Sequence, residues 1–145
     1  MVFALVGLVV SAVFAGAALY VNAVEQPARL GLEPRALLAE WKPAYQNGTR
    51  MQAPLAILGF VLGAAAWWQS GLPVFLVAAL AMIANIPWTL LVIFPINAKL
   101  VTTLPESANA DTVTLVVRWG QLHAVRTMFG FVATGFFLFG LLAGR

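Results

Sequence analysis

The sequence contains no cysteine and little charge. Of its 145 residues, 8 are Lys or Arg and 5 are Asp or Glu, so only 9% are charged, against about 25% in an ordinary soluble domain. The absence of cysteine excludes disulfides, thiol nucleophiles and cysteine-ligated metals, and it leaves the redox compartment unreadable. A chain that is 62% apolar and so poor in charge is predicted to be an integral membrane protein.

Histidine is almost as rare, because His123 is the only one in the chain. Haem held by two histidines is therefore excluded, and a di-iron helical bundle would need several buried carboxylates with Glu-x-x-His pairs. A weak mononuclear site formed by His123, Glu25 and Asp111 stays open, although we expect no metal and no cofactor. Phosphate-binding loops, dinucleotide fingerprints, HExxH and serine elbows are absent. Nucleic acid is not an expected partner, because the cations behind the net charge of +3 are scattered between apolar runs.

Four apolar runs are long enough to cross a bilayer, which takes about 20 helical residues. The predicted spans are residues 2–24, 51–68, 73–94 and 120–143. Residues 34–46 are predicted to form a short interfacial helix in the first loop, which ends at the turn signal Asn47-Gly48. We therefore expect an all-α membrane protein with one domain over residues 1–145, folded as an antiparallel four-helix transmembrane bundle.

Helix contacts and membrane orientation also follow from the sequence. The lipid bilayer is the expected partner, and Gly59 and Gly63 form a GxxxG motif for close helix contact. Small-residue helix faces would also permit a homo-oligomer. Most cations lie in the first and third loops or near the start of the fourth span (Arg29, Arg35, Lys42, Arg50, Lys99 and Arg118). The positive-inside rule then places both long loops in the cytoplasm and both termini, including Arg145, outside an inner (plasma) membrane.

The fourth helix, predicted from Asp111 to Ala143, carries the most polar cluster. Trp119, His123 and Arg126 follow one another at i, i+4 and i+7 and therefore share a narrow arc. A charge inside a span costs roughly 2.5–3.5 kcal/mol, so these side chains should face the bundle interior and find partners there. Glu25 is the expected partner of Arg118 or Arg126, and Asn109 or Asp111 could cap the helix.

The polar and aromatic residues on the other helices can each have one of two roles. Asn22 and Glu25 lie either at the headgroup level or inside the bundle near the helix break predicted at Pro27. Asn85, beside a second break at Pro87, either joins helices or contacts a ligand. Trp41 and Tyr45 are either interface anchors or walls of a ligand site.

Three short motifs occur in the order expected of one known family: Asn22 to Pro27 (NxxxxP), Pro95 to Asn97 (PxN), and Arg118-Trp119 with His123 and Arg126 (RWxxxHxxR). With the helix order and loop pattern of the whole chain, they resemble the DUF1772, or anthrone oxygenase-like, family. The resemblance implies the four-helix membrane fold. It also implies a cofactor-independent oxygenase that converts anthrones into anthraquinones. The positions carried over by the resemblance are Asn97, Trp119, His123 and Arg126.

Such a reaction assigns roles to the polar residues. His123 can act as the base because its unperturbed pKa lies near neutrality, and Arg126 can hold the oxyanion with two donors in fixed geometry. The candidate substrate-binding residues are Asn97, Trp119, Arg118, Trp88, Asn85, Asn22, Glu25 and Tyr45. The expected function is a membrane monooxygenase, hence an oxidoreductase, that acts on an anthrone-like or other activated aromatic small molecule. The alternative is a non-enzymatic membrane module that binds a quinone or lipid, or a small subunit of a larger complex.

Overall fold

The computed structural model describes residues 1–144, and four long helices account for most of them. They are α1 (Val2–Leu30), α2 (Pro34–Ser70), α3 (Pro73–Thr102) and α4 (Ala110–Ala143), with a 3₁₀ turn at Pro105–Ser107 before α4. Each long helix is apolar enough to cross a membrane. The protein is therefore a multi-pass membrane protein, and the predicted fold class is confirmed.

Both α1 and α3 contain a π-helical turn shortly before a proline. These turns are Val21–Glu25, ahead of Pro27, and Thr89–Ile93, ahead of Pro95. Proline has no N–H, and its ring collides with the carbonyl four residues earlier. A wider turn relieves that collision, and the backbone N–H of Gln26 bonds the carbonyl of Val21. The helix break predicted at Pro27 is thus a widened turn, after which α1 continues to Leu30.

A second irregularity in α3 surrounds Pro87. The helix is interrupted at Ala84, and the side chain of Asn85 donates to the carbonyls of Met82 (3.0 Å) and Ala81 (3.4 Å). Pro87 removes one backbone hydrogen bond from this part of the helix, and the Asn85 side chain adds two contacts to carbonyls of the preceding turn. α3 also runs past Pro95 and Asn97, where the sequence predicted its end, and finishes at Thr102.

α2 is one continuous helix of 37 residues. Residues 34–46 are helical as expected, but the turn predicted at Asn47-Gly48 is wrong, because the helix passes through both residues without a break. An Asn-Gly pair disfavours a helix by only about 1–2 kcal/mol. The buried side chains of Leu37, Leu38 and Trp41 fix the first half of α2 on the bundle and outweigh that local preference.

The helices pack through small residues where they approach most closely. A Cβ added at Gly63 would lie 3.0 Å from the backbone of Ala79, and one at Gly130 would lie 2.9 Å from the Cα of Ala15. The GxxxG pair thus brings α2 against α3, and Gly130 brings α4 against α1. Asn109 caps α4 as predicted, since its Oδ1 accepts from the backbone N–H of Asp111 and Thr112.

The chain direction gathers four helix segments at one end of the bundle, which we call the polar end. It is formed by the last turns of α1, the first half of α2, the second half of α3 and the first half of α4. Most of the cations, among them Arg29, Arg35, Lys42 and Lys99, lie there. The opposite end carries the α2–α3 turn, in which Gly71 adopts the left-handed conformation (φ 71°).

This charge distribution predicts the orientation in the membrane. Because basic loops are retained in the cytoplasm, a reporter fused after Arg145, which lies outside the described residues, should report an extracytoplasmic C-terminus. The measurement is a paired fusion of alkaline phosphatase, active outside, and a fluorescent protein, active inside. Fluorescence without phosphatase activity would reverse the assignment, and the polar end would then face outward.

Candidate active site

A cavity of about 160 Å³ lies inside the polar end, and all four helices contribute to its wall. Six of the residues proposed from the sequence line it: Glu25, Tyr45, Asn97, Trp119, His123 and Arg126. The helical arc predicted for Trp119, His123 and Arg126 therefore faces one space. The cavity wall also includes four polar residues that were not proposed from the sequence: Arg29, Thr49, Gln52 and Thr89.

The imidazole of His123 is buried, with 2% of the residue exposed, and it is held from α1. Its Nδ1 lies 2.9 Å from Oδ1 of Asn22, and the hydroxyl of Thr127 donates to the same oxygen at 2.9 Å. The Nδ2 of Asn22 donates to the backbone carbonyl of Gly120 at 2.8 Å. A carbonyl can only accept, so this contact fixes which end of the Asn22 amide is oxygen.

The tautomer of His123 follows from that orientation. Because Asn22 Oδ1 is an acceptor, Nδ1 of His123 carries a proton, and in the neutral ring Nε2 keeps its lone pair. The ring lies beside Trp119, with centroids 5.0 Å apart and an interplanar angle of 31°. Asn22 was proposed to bind substrate, whereas the structure places it behind the histidine, outside the cavity wall. Its contacts hold the imidazole in one orientation and one tautomer.

Arg126 lies one helical turn from His123 and has no counterion in the part of the chain that the structure describes. The ion pair expected between Arg126 and Glu25 is not formed, because Glu25 contacts Arg29. The guanidinium forms no ion pair within residues 1–144, and its Nε, which is buried, has no hydrogen-bond partner there. The Cζ atom lies 5.7 Å from the ring centroid of Phe14, within cation–π range. A buried cation that lacks an ion pair can bind an anionic group of a ligand.

Glu25 pairs with Arg29 instead of Arg118 or Arg126, so that part of the expectation is wrong. The Arg29 side chain is 1% exposed, and its guanidinium contacts Glu25 (3.0 Å) and Glu40 (2.8 Å). Its Cζ also lies 5.7 Å from the ring of Trp119. Glu25 and Arg29 are four residues apart in sequence, the spacing of a helical ion pair, and that signal was available. The link to Glu40 depends on how α2 folds back, so the sequence carries no comparable sign of it.

Three further side chains bring unpaired polar atoms to the cavity wall. The Oε1 of Gln52, the Oδ1 of Asn97 and the hydroxyl of Thr89 are buried and have no hydrogen-bond partner within residues 1–144. Gln52 and Asn97 are only 3% and 2% exposed. Burying an amide or hydroxyl without a partner costs about 1–3 kcal/mol. These atoms are therefore satisfied most simply by polar groups of a ligand or by water in the cavity.

The remaining predicted positions are not among the residues that line the cavity. Arg118 is exposed. Trp88 donates from Nε1 to the carbonyl of Leu122 at 3.0 Å and joins α3 to α4. The Asn85 amide serves its own helix, as described above. Trp41, read as an interface anchor or a ligand wall, is fully buried and stacks on Tyr45, with ring centroids 4.9 Å apart.

The mononuclear metal set left open by the sequence is not assembled. Asp111 is exposed in the first turn of α4, far from the cavity wall, and Glu25 is engaged by Arg29. Within residues 1–144, no three side chains of the metal-binding types gather at one point. The residues that do surround His123 are amides, a hydroxyl, arginines and aromatic rings, which suit an organic ligand.

Fold and site together define a small multi-pass membrane protein with an aromatic-walled polar cavity built around one oriented histidine. The family model described as anthrone oxygenase matches residues 41–136. This chain belongs to the anthrone oxygenase, or DUF1772, family, which confirms the resemblance read from the motifs.

Two relatives carry the same description. The chain is 31% identical to anthrone oxygenase ptaC of Pestalotiopsis fici over 118 residues, which cover 68% of this chain and 80% of that protein. It is 36% identical to anthrone oxygenase tpcL of Aspergillus fumigatus over 102 residues, which cover 64% of this chain and 63% of that protein. No solved structure matches the chain.

The hydrogen bonds around Asn22 predict a measurable stability. Replacing Asn22 with the similarly sized Leu should lower the free energy of unfolding by about 1–3 kcal/mol, because the Thr127 hydroxyl and the His123 Nδ1–H lose their acceptor. Denaturant or thermal unfolding in detergent measures the change. Asn47→Leu is the control, since Asn47 is exposed and surface changes usually stay within about 0.5 kcal/mol. Equal effects of the two substitutions would contradict the proposed contacts.

Proposed function

We propose that this protein is a membrane oxygenase that uses O₂, without metal or flavin, to oxidise an anthrone-like or other activated aromatic carbon acid. Membership of the anthrone oxygenase family supports the oxygenase class. The observation that carries the mechanism is that His123, oriented through Nδ1, and Arg126, which has no counterion within residues 1–144, line the same cavity from α4. One supplies a base and the other a site for the negative charge that the base creates.

The first step is proton removal. An anthrone has a CH₂ group flanked by aryl rings and vinylogous to a carbonyl, so its conjugate base is an enolate. Nε2 of His123 takes one proton of that CH₂, and the charge moves to the carbonyl oxygen, where Arg126 stabilises it. His123 becomes an imidazolium, whose Nδ1–H bond to Asn22 holds the ring in place.

Oxygen then reacts at the same carbon. The enolate transfers one electron to O₂, and the resulting radical pair combines to form a C–O bond and a peroxide anion. The imidazolium protonates this anion to a hydroperoxide. Loss of the second C–H proton and cleavage of the O–O bond give the quinone carbonyl and one water molecule. The two hydrogens of the CH₂ leave in that water, and one oxygen atom remains in the product.

The other residues of the cavity bind and orient the substrate in this proposal. The unpaired oxygens of Gln52 and Asn97 can accept from phenolic hydroxyls, and Thr89 can donate or accept. Trp119 and Tyr45 supply flat apolar surface for an aromatic ring. The apolar surroundings keep water from the enolate, which strengthens its interaction with Arg126. We further propose that the polar end faces the cytoplasm from an inner (plasma) membrane.

A non-enzymatic module that binds a quinone or lipid is the second candidate. The same unpaired polar atoms would satisfy a quinone, and the close contacts at Gly63 and Gly130 serve packing in either case. The oxygenase is preferred because a binding module has no need for an imidazole whose tautomer is fixed from a second helix. Catalysis separates the two candidates directly.

The base is tested by replacing His123. His123→Ala should lower the rate of oxygen consumption with anthrone by about 10²–10⁴-fold, the usual value of general base catalysis, while binding of the product anthraquinone changes little. The measurement is oxygen consumption by purified protein in detergent or vesicles, corrected for the spontaneous oxidation of anthrone.

The same assay checks the cofactor-free mechanism. Activity should survive extensive chelation, and metal analysis should find no stoichiometric metal in the active protein. Activity that is lost on chelation and returns with iron or copper would refute the mechanism, and an unchanged rate in His123→Ala would remove the base. Tight binding of anthraquinone without any oxygen consumption in the wild-type protein would favour the binding module.

Arg126 and Arg118 provide a matched pair on one helix. Arg126→Lys keeps the charge but loses the forked donors, so we expect about a tenfold loss of turnover, and Arg126→Ala about 10²–10³-fold. Arg118→Lys and Arg118→Ala should leave turnover near the wild-type rate, because Arg118 is exposed and outside the cavity. Comparable losses at both positions would mean that bulk positive charge, and not the oxyanion contact, is responsible.

A further inference from the structure

Most of the residues that line the cavity are buried or half-buried. Of the residues that line it, two are exposed: Thr49 on α2 and Leu90 on α3. These helices are in close contact nearer the α2–α3 turn, where Gly63 meets Ala79. The opening of the cavity therefore lies between α2 and α3, at the level of Thr49 and Leu90.

Gly48 forms part of the α2 side of this opening. It lines the cavity, it is half-buried, and a Cβ built on it would meet no atom within 4 Å. Ala44 and Gln52, four residues before and after Gly48, line the cavity as well. A glycine inside a helix costs about 1 kcal/mol relative to alanine. α2 thus keeps a position without a side chain beside open space, at a cost in helix stability.

The other side of the opening is apolar. Leu90 is 59% exposed and its neighbour Leu91 is 77% exposed, which suits contact with lipid. On α2, by contrast, Gln46, Asn47, Thr49 and Arg50 are exposed, so this part of α2 lies near the membrane boundary. The opening therefore has a lipid-compatible wall and a polar wall, as a flat amphipathic aromatic at the boundary of the bilayer requires.

Size gives a second reason for an open side. The cavity volume of about 160 Å³ is close to the roughly 150 Å³ of an engineered apolar cavity that accepts one benzene ring. An anthrone has three fused rings, so part of a bound molecule must extend through the opening. Inside the opening, the unpaired oxygens of Gln52 and Asn97 can bind polar groups of the part of the molecule that lies within the cavity.

We propose that the gap between α2 and α3 at Gly48 and Leu90 is the entrance through which the aromatic substrate passes from the membrane boundary to His123. The absence of a side chain at position 48 sets the size of the molecule that can pass. This inference rests on the proposed function for the identity of the substrate, but the entrance can be tested by ligand binding alone.

The chain has no cysteine, so a single introduced thiol can be labelled selectively. Gly48→Cys is the test variant and Gln46→Cys is its control, because Gln46 is exposed on the same helix, two residues away, and does not line the cavity. Both proteins are reconstituted in vesicles and treated with N-ethylmaleimide or with the much larger pyrene maleimide. Anthraquinone binding and oxygen consumption with anthrone are then measured.

Pyrene at position 48 should weaken anthraquinone binding and lower kcat/KM for anthrone at least tenfold, whereas pyrene at position 46 should change neither. Bound anthraquinone should slow the reaction of N-ethylmaleimide with Cys at position 48 and not at position 46. As a label-free variant, Gly48→Phe should reproduce the loss and Gln46→Phe should not.

The outcomes separate the entrance from the chemistry. Full binding and activity with pyrene at position 48, or equal losses at positions 48 and 46, would overturn the entrance. Absence of ligand protection at position 48 would do the same. If anthraquinone protects Cys only at position 48 but the wild-type protein consumes no oxygen, the entrance is upheld and the oxygenase is refuted. If the protein turns over anthrone normally even with pyrene at position 48, the oxygenase is upheld and the entrance is refuted.

Discussion

The amide of Asn22 connects the last turns of α1 to the middle of α4, and the site depends on this connection. Its nitrogen donates to the Gly120 carbonyl, and its oxygen accepts from Thr127 and His123. Three groups on one helix thereby fix a single side chain from another. The tautomer of the only histidine is decided in this way, and with it the nitrogen that faces the cavity.

The π-helical turns explain how α1 and α3 supply their polar groups. Asn22 and Glu25 lie in the first of these turns, and Thr89 lies in the second. A π turn inserts an extra residue into the helical repeat and is frequent at functional sites. The prolines that follow, Pro27 and Pro95, make the wider turn locally favourable. Two of the three motifs that carry the family resemblance thus combine a proline, which alters the backbone, with a nearby asparagine.

The fold was largely predictable because each apolar run is long, and every residue in it contributes to the same signal. The arc of Trp119, His123 and Arg126 was predictable because it lies within one regular helix, where spacing alone fixes direction. The ends of the helices were harder, since hydropathy detects only the apolar part of α2 and α3. Their polar turns are held by packing, as at Leu37 and Leu38.

The small-residue contact at Gly59 and Gly63 was predicted, but the polar contacts between helices were not. Arg29 was counted as a loop cation, yet its side chain is buried between carboxylates of α1 and α2. Gln52 lies at the polar edge of a predicted span, where a glutamine usually faces solvent. Both assignments required the relative positions of two helices, which depend on tertiary packing and not on local propensity.

The unbroken course of α2 has a mechanical consequence. A helix of 37 residues is about 55 Å long, against a hydrocarbon layer of about 30 Å. The helix continues through Pro54, which lies inside it, so no loop separates its apolar half from the half that carries Tyr45 and Gly48. Its tilt in the lipid fixes how deep those residues sit. The depth of the cavity opening in the membrane therefore depends on the thickness of the surrounding bilayer. In thinner or thicker lipid, the same protein would present its open side at a different height.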